Sequence, residues 1–334
     1  MASLITTLPS VAFPHEVDAL DISTTESTAV ELRYADTVMF KSILYPINGT
    51  IALQEVSSLL DDYLGNEEHT FSVWLDGSKV GETTIIPCML HLDCTAAEMN
   101  EGIFLTRTTC KYTHADASEV LHIISESRYI TIRGFVKAKS GGSYFVQTFS
   151  WPVSGSETIM AVDVSPRSIF SLEAYDLEQY TVEVGKAKIT YRMIPDGMAD
   201  TLHEFGFINS FMQEEYITLT GEAERELKVE RLLAYVGGQY RNFQVDAVPH
   251  WTIHSGVLLD GMQGLFDDFI SSKKIWRKSD NVMMAVTNSD YKTKDSSTAL
   301  NGGTVTLRET GRTYRHRLQR PVKTFDETFD DTFQ

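Results

Sequence analysis

Cysteine is scarce in this 334-residue chain. Cys88, Cys94 and Cys110 are too few and too close together to staple a molecule of this size, so folding has to rest on apolar burial. No run approaches the roughly 18 uninterrupted apolar residues that a membrane helix needs. The opening MASLITTLPSVAFPHEV lacks the basic n-region of a signal peptide, so the chain is expected to work in the cytosol or to be released by lysis. Positive charge is short as well. The 29 Lys+Arg stand against 46 Asp+Glu, and the net charge of −17 favours solubility while repelling phosphate backbones and anionic lipid. Neither nucleic acid nor a membrane is an expected partner.

Catalytic signatures are also missing. The chain has no Gly-x-Ser-x-Gly elbow, Walker loop, dinucleotide fingerprint or His-Glu-x-x-His, and Gly261 and Gly264 fall within a helical pattern instead of a phosphate loop. Asp61-Asp62 and Asp267-Asp268 lie opposite apolar helix faces. Adjacent helical residues diverge by about 100°, so these pairs read as solvated surface, and Glu214-Glu215 reads the same way. The nearest approach to a metal site is Cys88, His91 and Cys94, with Cys110 further along. On a strand, Cys88 and Cys94 would share one face and His91 the other, and small core cysteines with a surface histidine are the plainer account. The expectation is no enzyme, no cofactor and no metal.

What the chain does have is strand signal, with 42% apolar residues, enough for two packed cores. The segments 70–75, 129–138, 144–149, 188–193 and 216–220 alternate with period two and are rich in β-branched and aromatic residues. Asp76-Gly77, Ser140-Gly141-Gly142, Pro195-Asp196-Gly197, Gly237-Gly238 and Asn301-Gly302-Gly303 separate strands with turn chemistry. Two amphipathic helices interrupt the pattern. One is near 54–64, with Val56, Leu59, Leu60, Tyr63 and Leu64 on one face. The other is near 257–271, with Met262, Leu265, Phe266, Phe269 and Ile270 at matching offsets. Each follows a Phe-x5-Pro strand and precedes a strand ending near a tryptophan, Trp74 or Trp276. This reads as two copies of one strand–helix–strand unit. The plainer alternative is that any β-rich chain with two amphipathic helices shows such likeness.

The predicted fold class is therefore α+β and β-rich: two domains of packed antiparallel sheets, each flanked by one amphipathic helix. They span 23–150 and 166–320, joined by a Pro- and Gly-Ser-bearing linker at 151–165. An N-terminal arm, 1–22, and an acidic aromatic docking tail, 321–334, frame them.

Two C-terminal features point to partners. The basic stretch RETGRTYRHRLQR would, as a strand, line one face with Arg315 and Arg317. With Arg312 this makes a seam for an acidic neighbour in a chain that is otherwise strongly negative. The ending TFDETFDDTFQ repeats every four residues, so Phe325, Phe329 and Phe333 form one stripe among carboxylates, suited to apolar pockets with basic surroundings on another subunit.

The segments LKVERLLAYVGGQYRNFQVDAVPHWTI (Leu227–Ile253), LLDGMQGLFDDFISSKKIW and NVMMAVTNSDYK, with the FDETFDDTF ending, resemble proteins encoded in phages and prophages of gut anaerobes that are linked with tail modules. The resemblance covers about the last third of the chain. It implies the fold of tail-tube, distal-tail and hub proteins, packed β-sheets flanked by one helix, and it transfers no catalytic residue. The expected role is a structural subunit of a phage tail or tail tip. It would assemble in the host cytoplasm into a ring of three or six copies and touch neighbouring tail proteins. The rivals are a carbohydrate- or receptor-binding tail-tip module and, less favoured, a hydrolase acting on the host envelope.

Overall fold

A computed structural model describes residues 2–90, 92–93, 95–99, 103–124, 128–153, 159–195, 202–291 and 301–310. Strands take up 56% of the described residues and helices 9%, so the chain is a β-rich α+β protein. Its buried side chains gather in three successive clusters, with a fourth where the three meet.

The first cluster lies between two sheets. A five-stranded sheet runs in the order Val11–Ala12, Ser78–Ile85, His69–Leu75, Thr28–Tyr34, Thr37–Leu44. A three-stranded sheet is built from Ser3–Leu4, Leu20–Ser23 and Thr50–Leu53. Period-two alternation turns Val30, Leu32 and Tyr34 inward beside Phe71, Val73 and Leu75, where they meet Leu20, Ile22 and Ile51 of the smaller sheet. The Asp76-Gly77 signal is a tight hairpin in which both residues have positive φ, 48° and 82°. The helix Val56–Leu60 closes this core with Val56 and Leu60, and Leu64 beyond its end joins them, whereas Leu59 and Tyr63, expected on the same packed face, are exposed.

The second cluster fills the space between Cys110–Thr113, Ala187–Met193, Tyr175–Val184, Arg128–Ala138 and Phe145–Val153 on one side and Ile159–Asp163, Val120–Ile124 and Ile103–Phe104 on the other. The stretch 151–165, read as a linker, holds the end of strand Phe145–Val153 and the strand Ile159–Asp163, whose Ile159 and Met160 are buried. The sheets are not wholly antiparallel as expected: Cys110–Thr113 pairs with Ala187–Met193, and Val11–Ala12 with Ser78–Ile85, in parallel. Each of these pairs joins strands far apart in sequence, where no hairpin imposes the antiparallel direction.

The third cluster lies beneath a seven-stranded sheet ordered Glu214–Leu219, His203–Ile208, Ile275–Arg277, Val282–Tyr291, Gly303–Glu309, Gln239–His254, Ala223–Val236. The helix Gln263–Ser271 packs Leu265, Phe266 and Phe269 against it, with Met262 at its N-cap also buried. The expected duplication fails on strand order. In the first sheet the hairpin before the helix joins its sheet through its first strand, Thr28–Tyr34, paired with His69–Leu75. In the third it joins through its second strand, Gln239–His254, paired with Gly303–Glu309. The shared helix pattern reflects the common task of closing an apolar sheet face, for which the same offsets serve any topology.

Burial separates two helix positions that look alike in sequence. Leu60→Ala and Phe266→Ala should each cost about 2–5 kcal/mol, whereas the exposed Leu59→Ala should stay within about 0.5 kcal/mol. Urea unfolding of the three variants checks this.

Candidate functional site

The most concentrated chemistry among the described residues is a buried polar junction where the three cores meet. Its centre is the turn that follows strand His203–Ile208. The Asn209 side chain is buried and uses every bond it can make. Its Oδ1 accepts from the backbone N–H of Phe211 and of Gln213, each at 3.0 Å. Its Nδ2 donates to the Leu105 carbonyl and to Glu215 Oε2, each at 2.8 Å. The turn passes through Met212 at φ 59°, a left-handed conformation rare for methionine, which the two Asn209 acceptor bonds hold closed. From it, Gln213 Nε2 donates to the Asn66 carbonyl at 2.9 Å, and the Ser210 carbonyl accepts from Met89 N–H at 2.8 Å. Phe211 enters the fourth apolar cluster with Phe13, Ile86, Cys88, Leu105, Ile124 and Ile159. One five-residue turn thereby touches all three parts of the chain.

Two acids read as surface are buried here. On strand Glu214–Leu219, alternation puts Glu215 on the same face as Ile217 and Leu219, and Glu215 accepts from Thr106 Oγ1 at 2.6 Å as well as from Asn209. Burial pushes its carboxyl above the ordinary 4.5, with Lys111, Thr106 and Asn209 pulling the other way. Asp268 sits three residues from Leu265 on the flank of the helix's apolar face, not opposite it. It accepts from Ser210 Oγ at 2.6 Å, Ser210 N–H at 3.2 Å and Arg107 at 3.0 Å. Asp267 does remain half exposed, 3.7 Å from Arg107. Beyond Glu215, Lys111 and Glu119 form an ion pair at 2.6 Å with side chains only 3% and 2% exposed, and Lys111 also donates to the Tyr216 carbonyl at 3.1 Å. Desolvation raises the Glu119 carboxyl while Lys111 and Thr113 oppose it.

The segment Leu105–Cys110 threads between these groups and the start of the long helix. Thr108 Oγ1 donates to the Gly261 carbonyl at 2.7 Å. Gly261 has φ +90°, and a Cβ on Gly264 would lie 2.7 Å from the Arg107 carbonyl oxygen, so both glycines are required for this approach. The glycine pair therefore seats a neighbouring segment, which explains it without a phosphate.

The arrangement is a lock at its centre, because the Asn209, Glu215 and Asp268 side chains are buried and each is bonded to named partners, while the exposed Arg107 marks its rim. Two open grooves of 440 and 490 Å³ are lined by none of Lys111, Glu119, Asn209, Glu215 or Asp268. The other site expectations fall elsewhere. Cys88 is in the junction's apolar cluster and Cys110 begins a strand, while His91 and Cys94 lie outside the described residues. Arg312, Arg315, Arg317, Phe325, Phe329 and Phe333 also lie outside them.

The second feature is an arm. Ala223–Val236 and Gln239–His254 form a two-stranded ribbon turning at Gly237-Gly238, and Gly303–Glu309 pairs only with its root, residues 250–254. On one face, Ala223, Trp251 and Ile253 pack into the third core. The same face continues outward as Arg225, Leu227, Val229, Arg231, Leu233 and Tyr235, since the one-residue bulge at Phe243 is on the return strand. Leu227 is 50% exposed, Leu233 63%, Tyr235 65% and Tyr240 74%. Tyr235 and Tyr240 stack edge to face across the tip at 5.0 Å.

A scan against protein-family models finds no match, and a search of curated proteins returns none. Among solved structures, that of CBD12 from CALX1.2 is similar to this chain at 11% sequence identity, over 55% of this chain and 79% of that one, with a TM-score of 0.18. At that score the likeness carries no argument.

The junction makes two demands. Asn209→Asp replaces two donors with a carboxylate facing Glu215 and the Leu105 carbonyl, and should cost about 3–5 kcal/mol in urea unfolding. Glu215 contributes a pH dependence of known sign. A carboxyl held above 4.5 in the folded state lends stability that is full below that pH and lost as pH rises through the folded value. Glu215→Gln cannot lose a proton, so the intact chain's advantage over this variant should shrink as the pH is raised from 4.5 toward neutrality. An advantage that grows with pH would show the sign to be wrong.

Proposed function

We propose that this chain is a non-catalytic building block of a larger assembly, with the structural subunit of a bacteriophage tail or tail tip as its specific role. The observation that carries the reading is the arm. A two-stranded ribbon is marginal alone in water, and this one extends beyond its sheet with an apolar stripe uncovered along one face. Among the described residues its outer strand is also a sheet edge along fourteen residues. Such an edge invites pairing, and a chain of net charge −17 is kept from doing so indiscriminately by its own repulsion. The stretch Leu227–Ile253, which resembles phage tail-module proteins, is the arm itself. In this role the protein needs no cofactor, joins copies of itself in a closed ring of three or six, meets neighbouring tail proteins, and is built into the virion from the host cytoplasm.

Native mass spectrometry and electron microscopy of the full chain test the reading. Rings of three or six copies are expected, and Leu233→Ser with Tyr235→Ser should dissolve them while leaving the unfolding transition in place. A chain that stays monomeric at every concentration, or one whose assembly ignores the arm variants, would overturn it.

A further inference from the structure

Among the described residues the arm's outer edge has no strand partner, and part of it is complementary in pattern to the chain's last residues. On the outer strand, one face reads Arg225, Leu227, Val229, Arg231, Leu233, Tyr235, with two cations among apolar residues at two-residue spacing. If the terminal segment Thr324–Gln334 is read as a strand, one face carries Phe325, Glu327, Phe329, Asp331 and Phe333. The other carries Thr324, Asp326, Thr328, Asp330 and Thr332. The first face alternates phenylalanine with acid, whereas the arm's face carries its two arginines six residues apart, so in one register one acid meets one arginine while phenylalanines lie beside apolar residues. An antiparallel register that sets Glu327 opposite Arg231 also sets Phe325 opposite Leu233 and Phe329 opposite Val229, and toward the arm's root it sets Asp331 opposite Leu227 and Phe333 opposite Arg225, so the match is made in the outer half of the strand.

Where the chain leaves its last described strand bears on which copy supplies the segment. Gly303–Glu309 pairs with residues 250–254 at the arm's root, and Thr310 N–H donates to the Met283 carbonyl at 3.0 Å. Residues 311–324 intervene before the first phenylalanine. Fully extended, that stretch reaches roughly 46–50 Å, about the length of the arm's own fourteen-residue strand at ~3.4 Å per residue. It is therefore long enough to place the phenylalanines beyond the arm beside which it starts.

We propose that the terminal segment Thr324–Gln334 of one copy adds as a strand to the free edge of Ala223–Val236 on a neighbouring copy. Main-chain bonds along the edge supply the attachment, and the phenylalanine–acid face against the arm's leucine–arginine face sets the register. The proposal rests on the reading of the chain as an assembly subunit, and names what its arm receives.

Sedimentation of the full chain and its variants tests it. Deleting residues 324–334, Arg231→Glu alone and Glu327→Arg alone should each weaken association at least tenfold, and the double variant carrying both charge swaps should recover most of the loss. Mixing chains that lack 324–334 with chains carrying Leu233→Ser should give one-to-one complexes, since one supplies the arm and the other the segment. Three results overturn the proposal. If arm variants weaken association and the deletion does not, the arm serves assembly without the segment, and the assembly reading survives. If the intact chain associates and the mixture forms no complex, the segment acts on its own copy. If the intact chain never associates, both readings fall together.

Discussion

One buried turn, closed by the Asn209 amide, ties the three parts of the chain together. Asn209 spends two acceptor bonds and one donor bond, to Glu215, on closing its own hairpin, and one donor bond on reaching the Leu105 main chain of the second part. Unmet, each of these groups would cost about 1–3 kcal/mol in a closed interior. Met212, held at positive φ, and Phe211, inserted into the shared apolar cluster, are consequences of that closure. The ion pair of Lys111 with Glu119 and the Arg107–Asp268–Ser210 set extend the same matched bonding to either side.

Such a junction adds specificity more than raw stability. Buried charges repay their desolvation only when fully paired, so a junction of this kind tolerates few alternative arrangements of the three bodies. Rigidity at the centre matters at the periphery. The face that is core at the arm's root becomes an uncovered stripe further out without any change of pattern, so whatever covers the stripe continues the third core into another surface. An arm on a loosely held body would present that stripe at many angles. Fixing the three parts fixes the angle, which the proposed ring would require of every subunit.

How much of this was legible in the sequence depends on the kind of signal. The Asp76-Gly77 hairpin, the strand alternations and the helix faces at Val56/Leu60 and Leu265/Phe266/Phe269 are local patterns and read correctly. The apparent repeat did not hold, because helix offsets report a buried face and say nothing about strand order. Glu215 and Asp268 were read as surface because each stands in an acidic pair. The better signal was phase: Glu215 shares a face with Ile217 and Leu219, and Asp268 flanks Leu265. The same test applied to Cys110–Thr113 would have placed Lys111 with Thr113 on an inward face. Asn209 had no such signal, since its partner at Leu105 is 104 residues away and converges on it only once the sheets are assembled.

The central claim is that a rigid three-body subunit holds out an arm completed by another copy. Amide hydrogen exchange on dilute and concentrated samples of the full chain tests it most directly. The account predicts that amides of the Asn209–Gln213 turn are protected at both concentrations, whereas those along Ala223–Val236 exchange fast when dilute and become protected when concentrated. Arm amides equally protected at both concentrations, or a junction that opens as readily as the arm, would contradict it.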